Sequence, residues 1–263
     1  MMVNYPANAD DEEFIVGGSF ADSTSDAQPT SMAFFLHRIK LAQLCRESMD
    51  RLQSVKKCPL QTVYQLVLGI SERYMSFLNE LPWFLRLDEE TPTKHAELAT
   101  QRPYITRQRA VLLYGLYSRL GRLHRPFVSR GFTDPHYATS HQIGIECAEK
   151  LLQIRRMTAV GNICAFGGSH SVDQHSFNAM LLLTIDVMAR PQLEISHRRR
   201  RDIIEMCHLL RDDHMRVGRP RDGISRAVGL LLEIVQSPHK MKPLGPFQDR
   251  PTSSVVRISL SCL

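Results

Sequence analysis

The chain has no Cys-x-x-Cys pair, no run of about 18 uncharged apolar residues, only one tryptophan, and no lysine or arginine in its first 30 residues. Each absence excludes something. The six cysteines, Cys45, Cys58, Cys147, Cys164, Cys207 and Cys262, are spaced wrongly for a zinc ribbon, a zinc finger or a six-cysteine binuclear cluster. They are expected to be reduced thiols, mostly small core residues. The lack of a long apolar run argues against a membrane span. The opening MMVNYPANADDEEF has neither the basic start nor the apolar segment of a secretory signal. No Gly-x-x-x-x-Gly-Lys-Ser/Thr loop and no Gly-x-Gly-x-x-Gly occurs, so nucleotide binding has no motif behind it.

What is present points to helices. At 263 residues the chain suits one large domain or two small ones, enough to bury a sizeable core. Hydrophobic residues make up 43%, and in the long apolar segments Leu, Met and Ala outweigh the β-branched types, which favours helix over sheet. Charge is unevenly placed. All 33 basic residues and 21 of the 27 acidic ones follow residue 30, so a basic body trails an acidic start. Such a body suits either nucleic-acid contact or a solvated helical surface, and the second is the simpler account.

Periodicity and punctuation divide the chain. Residues 1–30 read as an acidic extended arm. Thr30 or Ser31 can cap a helix over 33–53 whose apolar face uses Phe34, Ile39, Leu41, Leu44, Cys45 and Met49. Pro59 opens a second helix with Tyr64, Val67, Leu68, Tyr74, Phe77 and Leu78, ending near Leu81 and Pro82. Trp83, Phe84 and Leu85 form an apolar cluster beneath residues 88–102, a polar stretch containing Pro92 that reads as a loop. Asp134 and Pro135 cap and start a helix reaching about residue 156, with Ile143, Cys147, Leu151 and Ile154 facing inward. After a loop over 157–172, the segment 177–188 is apolar nearly all round, as a central helix would be. Two further helices fit 196–215 and 220–236, and residues 237–263 read as a tail. There is no strand–helix alternation and no 20- to 50-residue repeat. The expected architecture is an irregular all-α domain of about seven or more helices over 31–236.

The most specific stretch is QRAVLLYGLYSRLGRLHRPF, residues 108–127. Leu113, Leu116, Tyr117, Leu120 and Leu123 share one helical face, while Arg107, Arg109, Ser118, Arg119 and Arg122 lie off it. Pro126 disfavours helix at Arg125, so the helix, spanning about 103–124, is expected to stop there. His124, at that helix end, would hydrogen-bond orphan carbonyls, and Phe127 would enter the core. This segment resembles the signature of the fungal-specific transcription factor domain, the middle homology region of zinc binuclear cluster transcription factors. That family's long helix closes in Leu-His-x-Pro-Phe, matched here by Leu123, His124, Arg125, Pro126 and Phe127. Further residues fit the same outline: Pro6, Asn8, Asp10, Asp11 and Glu12, then Pro29, Thr30 and Met32, and later Asp134, Tyr137 and Ser140. One departure is Gly144, which stands where the family has a cysteine. The resemblance implies that the acidic arm lies against the helical body.

Candidate chemistry elsewhere is sparse. His170, Asp173 and His175 fall within six residues and could hold a divalent ion, but the spacing matches no established site, and Asp173 makes a good N-cap. Cys207, His208 and His214 align poorly on a helix. Ser169 with His170 lacks the second glycine of a nucleophile elbow. The run Arg198, Arg199, Arg200 and Arg201 could serve nuclear import or phosphate contact, or be the exposed turns of a helix whose inner face is Ile203, Ile204, Cys207 and Leu210.

The expectation is therefore a non-enzymatic, nuclear regulatory domain acting through transcriptional partner proteins, an unknown small effector or a second copy as a homodimer. DNA contact would be indirect. No cofactor or metal site is expected in this chain; the resemblance implies zinc only in a separate DNA-binding module. The competing reading is a helical small-molecule-binding protein or enzyme on a diverged scaffold.

Overall fold

A computed structural model describes residues 5–10, 28–87, 92–160, 169–216 and 223–237. Among these the chain is all-α, with eight α-helices and no strand. It divides into two compact units, with the boundary between Leu116 and Tyr117, inside the fourth helix. None of the described helices is long and apolar enough to cross a membrane.

In the first unit, α1 (Ala33–Ser54) packs against α2 (Leu60–Glu80). The Thr30 hydroxyl accepts a hydrogen bond from the Ala33 amide at 3.1 Å and so satisfies one orphan donor at the start of α1. Leu36, Leu41 and Leu44 are buried on α1, and Val63, Tyr64, Val67 and Ile70 on α2. Ile39, expected inside, is exposed, and Met49 is only half-buried, because the packed stripe runs through Ala33, His37, Leu44 and Ser48 instead. The segment at residues 5–10 is tied to α1 and to the residues that lead into it. Tyr5 donates to Gln43 at 2.6 Å, Thr30 donates to Asn8 at 2.5 Å, and Asp10 accepts from the Ser31 amide at 2.6 Å.

The stretch expected as a loop contains a helix, α3 (Pro92–Gln101). Pro92 is its first residue, a position where the missing N–H would have had no partner anyway. A single buried side chain, Leu98, holds α3 down, which is why its periodicity was too weak to read. Trp83 and Phe84 precede it in a short 3-10 turn, Trp83–Leu85, and the indole lies 5.4 Å from the His95 ring.

The signature helix, α4, runs Tyr104–Val128 and includes Pro126. The expected stop at Arg125 is thus overturned. Pro126 forfeits one hydrogen bond to the turn before it, but α4 ends two residues later, so no further turn depends on it. Arg109, expected off the buried face, is only 6% exposed and donates from Nε to the Phe84 carbonyl at 2.8 Å. Burial brings its guanidinium down to about 10.

In the second unit, Asp134 accepts from the His136 amide at 2.9 Å and caps a 3-10 turn, Pro135–Tyr137, that leads into α5 (Ala138–Val160). Its inner face uses Ile145 rather than Ile143, together with Cys147, Leu151 and Ile154. Both ends of the expected loop over 157–172 are helical instead, since α5 reaches Val160 and α6 (His170–Ala189) begins at His170. Residues 161–168 and the expected tail beyond Ser237 lie outside the described residues. Helix α6 is central: α5, α7 (Glu194–Arg216) and α8 (Gly223–Gln236) all pack against it. Ala179, Met180, Leu183 and Val187 of α6 and Ile203, Met206, Cys207 and Leu210 of α7 are all buried, and the sulfurs of Met180 and Cys207 meet at 3.7 Å.

Candidate functional site

The signature residues fix the end of α4 beside a cavity, which Arg125 alone among them lines. Leu123 and Phe127 are buried, and Phe127 stacks on Tyr137 with ring centroids 5.7 Å apart. His124 is fully buried, and its Nδ1 lies 2.8 Å from the Ser140 hydroxyl on α5. It therefore ties α4 to α5 instead of capping a helix end, because α4 continues a further turn. Burial pushes this imidazole down to about 4, so it is neutral at physiological pH. Arg125 and Pro126 face outward and are exposed.

Behind these residues lies a cavity of about 200 Å³ bounded by α4, α5 and α6. Helix α4 contributes Ser118, Gly121, Arg122 and Arg125. From α5 come Gly144, Cys147, Ala148 and Leu151, and from α6 His175, Asn178, Leu182 and Ile185. Two close approaches shape it. A Cβ on Gly121 would come 3.1 Å from that of Cys147, and one on Gly144 would sit 2.5 Å from Val128 Cγ2. At Gly144 a side chain cannot be accommodated without moving a β-branched neighbour, which accounts physically for glycine where the resembling family has a cysteine. Burial, with the charges of Arg122 and Arg119, drives His175 down to about 4. Burial and the nearby Glu146 raise the Cys147 thiol to about 12, so it is protonated and poorly nucleophilic.

The suggested metal trio does not come together. His170 is exposed, and His175 faces the cavity. Asp173 is not the N-cap but a buried residue inside α6, whose carboxylate lies 3.1 Å from His214 Nε2. The other ring nitrogen of His214 lies 2.6 Å from the Ser225 hydroxyl. One polar chain thus links α6, α7 and α8. His208 points to solvent and Cys207 sits 3.7 Å from the Met180 sulfur, so the second suggested cluster is also dispersed. Among the described residues no group of three or more His, Cys, Asp or Glu could hold a metal ion.

The arginine run begins α7. Arg199 turns inward, bonding Glu149 at 2.8 Å and pairing with Asp186, a carboxylate with no exposure. Burial alone would raise Asp186, but hydrogen bonds from His141 and Arg190 and the charges of Arg190 and Arg199 hold it near 2. Arg198 and Arg201 are exposed and Arg200 is half-buried. Sequence reasoning missed Asp186, since a lone acid in an apolar helix reveals its partners only after folding. It also missed the cavity, whose walls come from three separate helices.

Comparisons with known proteins follow the same lines. The chain is similar to the protein named Probable transcription factor lepB of Aspergillus flavus, 27% identical over 216 residues, covering 81% of this chain and 38% of that protein. It is 24% identical over 214 residues to the agnestins biosynthesis cluster transcription factor AgnL11 of Paecilomyces divaricatus, covering 80% of this chain and 29% of that protein. Transcription factor TAS2 of Pyricularia oryzae is 29% identical over 157 residues, 58% of this chain and 19% of its own length. The chain thus spans well under half of the curated relatives it matches. No family model matches the chain. No solved structure matches it either.

Proposed function

We propose that this chain is the regulatory body of a fungal transcription factor, corresponding to the middle homology region, and that it modulates transcription by binding a small effector or a partner protein. The observation that carries this reading is similarity to named transcription factors over 81% and 80% of the chain, in a protein whose helices leave an arginine-lined cavity at the signature. DNA contact would belong to a separate zinc-cluster module, and residence would be nuclear. Of the run Arg198 to Arg201, Arg200 and Arg201 are the residues most available for import, since Arg199 is committed to Asp186 and Glu149 and the exposed Arg198 lies 3.6 Å from Glu149. Fusing the chain to a heterologous DNA-binding module and an activation domain in yeast, with a reporter, tests the regulatory role. Output set by the chain, and altered by changes in its cavity, is the expected result. Output indifferent to the chain's presence would remove the reading.

A second reading, catalysis on a helical scaffold, has one observation in its favour. Asp173, His214 and Ser225 stand in the order of a charge-oriented nucleophile. None of the three lines the cavity, and Asp173 and His214 are buried. A serine-directed fluorophosphonate that labels Ser225 would transfer the argument to hydrolysis.

A further inference from the structure

Among the described residues, the cavity bounded by α4, α5 and α6 is lined by cationic, neutral polar and apolar groups and by no carboxylate. Arg122 and Arg125 project from α4, with His175 and Asn178 contributed by α6, and Leu151, Leu182 and Ile185 supply apolar surface. We infer that this cavity binds a small amphipathic anion, an apolar body of one or two rings bearing a single carboxylate. The body lies against Leu151, Leu182 and Ile185, and the anionic head reaches Arg122 and Arg125. This deepens the effector reading and rests on it for regulatory meaning, though not for binding.

Size sets the body. An apolar cavity of roughly 150 Å³ accepts benzene, whereas sites for drug-sized ligands begin near about 300 Å³. A cavity of about 200 Å³ therefore suits one ring or a fused pair. Charge sets the head. Burial, and after it the charges of Arg122 and Arg119, lowers His175 to about 4, so the imidazole is neutral and both guanidiniums stand close enough to act on this wall of the cavity. The Cys147 thiol is neutral as well and adds no negative charge. Glu146 is felt by Cys147 but does not line the cavity. Arg125 is exposed, which places the charged end at the mouth, where a carboxylate keeps part of its hydration while accepting guanidinium hydrogen bonds. Gly144 lines the cavity, and a Cβ there would come into ordinary van der Waals contact with Leu182 on the opposing wall, 3.8 Å away, narrowing the space between them.

Titration calorimetry on the purified chain with 2-naphthoate, and separately with its neutral counterpart 2-naphthamide, tests the inference. The acid should bind about tenfold or more tightly than the amide at low salt, the scale of a charge-assisted hydrogen bond. Arg125→Gln, on an exposed residue that the fold does not need, should remove most of that difference. Leu182→Trp, which fills the cavity, should abolish binding of both compounds while helical circular dichroism is retained. Equal binding of acid and amide, no binding of either, or binding indifferent to Leu182→Trp would overturn the inference. The reporter separates the two claims. Lost binding in Leu182→Trp with unchanged reporter output supports the site and removes its regulatory role. Reporter output set by the chain, with no naphthoate binding, overturns the site and leaves the transcriptional reading in place.

Discussion

His214 Nε2 lies 3.1 Å from an Asp173 carboxylate oxygen although the two residues are 41 positions apart, one in the first turns of α6 and the other near the end of α7. The Ser225 hydroxyl of α8 completes the chain at 2.6 Å from His214 Nδ1. Asp173 and His214 are both buried, so each supplies the other with a hydrogen-bonding contact in place of water.

This connection predicts a graded loss of stability. Ser225→Ala should cost about 1–2 kcal/mol, the penalty for stranding a mostly buried ring nitrogen. Asp173→Ala should cost more, on the order of 2–3 kcal/mol, because the His214 ring then loses its carboxylate. Urea unfolding measures both. If neither variant shifts the midpoint, the chain of contacts does not hold the three helices together.

The signature gives a second prediction. Phe127→Ala should cost about 3–5 kcal/mol, since the ring is 1% exposed and stacked on Tyr137. Pro126→Ala should instead hold or raise stability, by up to about 1 kcal/mol, because an alanine restores an N–H to the last turn of α4. Thermal melts of the two variants should therefore move in different directions. A large loss in Pro126→Ala would mean that the ring itself is needed to redirect the chain.

Acid should weaken the fold in a defined window. His124 is held near 4 in the folded chain against an ordinary value of 6.5. Between those values the unfolded chain binds a proton that the folded chain refuses. The contribution of His124 is thus complete above pH 6.5 and drains away as pH falls toward 4, by up to about 3 kcal/mol. His175 acts in the same direction. Asp186, held near 2, adds its own loss only as pH falls from 3.8 through 2. Unfolding free energies at pH 7.5, 6 and 5 should decline steadily, and the decline should be shallower in His124→Asn. A flat profile over that range would contradict a neutral, buried His124.

Gly144 offers a packing test. Its missing Cβ leaves room for Val128, and Gly144→Ala puts a carbon where 2.5 Å remains. The expected loss is about 1–3 kcal/mol despite the better helix propensity of alanine. Combining it with Val128→Ala should recover part of that loss. Failure of the double variant to recover would place the strain elsewhere than at this contact.

Much of the fold was legible because helices announce themselves locally. Periodic leucines, Pro59, Asp134 and Pro135 place α1, α2, α5 and α8 from short windows of sequence. The misreadings share a cause. A proline was read as a boundary both in α3 and at Arg125, whereas its cost depends on how many hydrogen bonds remain to be made beyond it. At Pro92 the missing N–H costs none, and at Pro126 it costs one.

The candidate site was legible only in its landmarks. Sequence alone identified Leu123 to Phe127, the arginine run and the all-α class, because composition and spacing are properties of neighbours along the chain. Tertiary structure decided that His124 bonds Ser140, that Arg199 belongs to Asp186, that Asp173, His214 and Ser225 meet, and that three helices enclose a cationic cavity. Each of these joins residues from different helices. The free energy that brings them together comes from burying apolar faces elsewhere, so their own positions in sequence hold no trace of it.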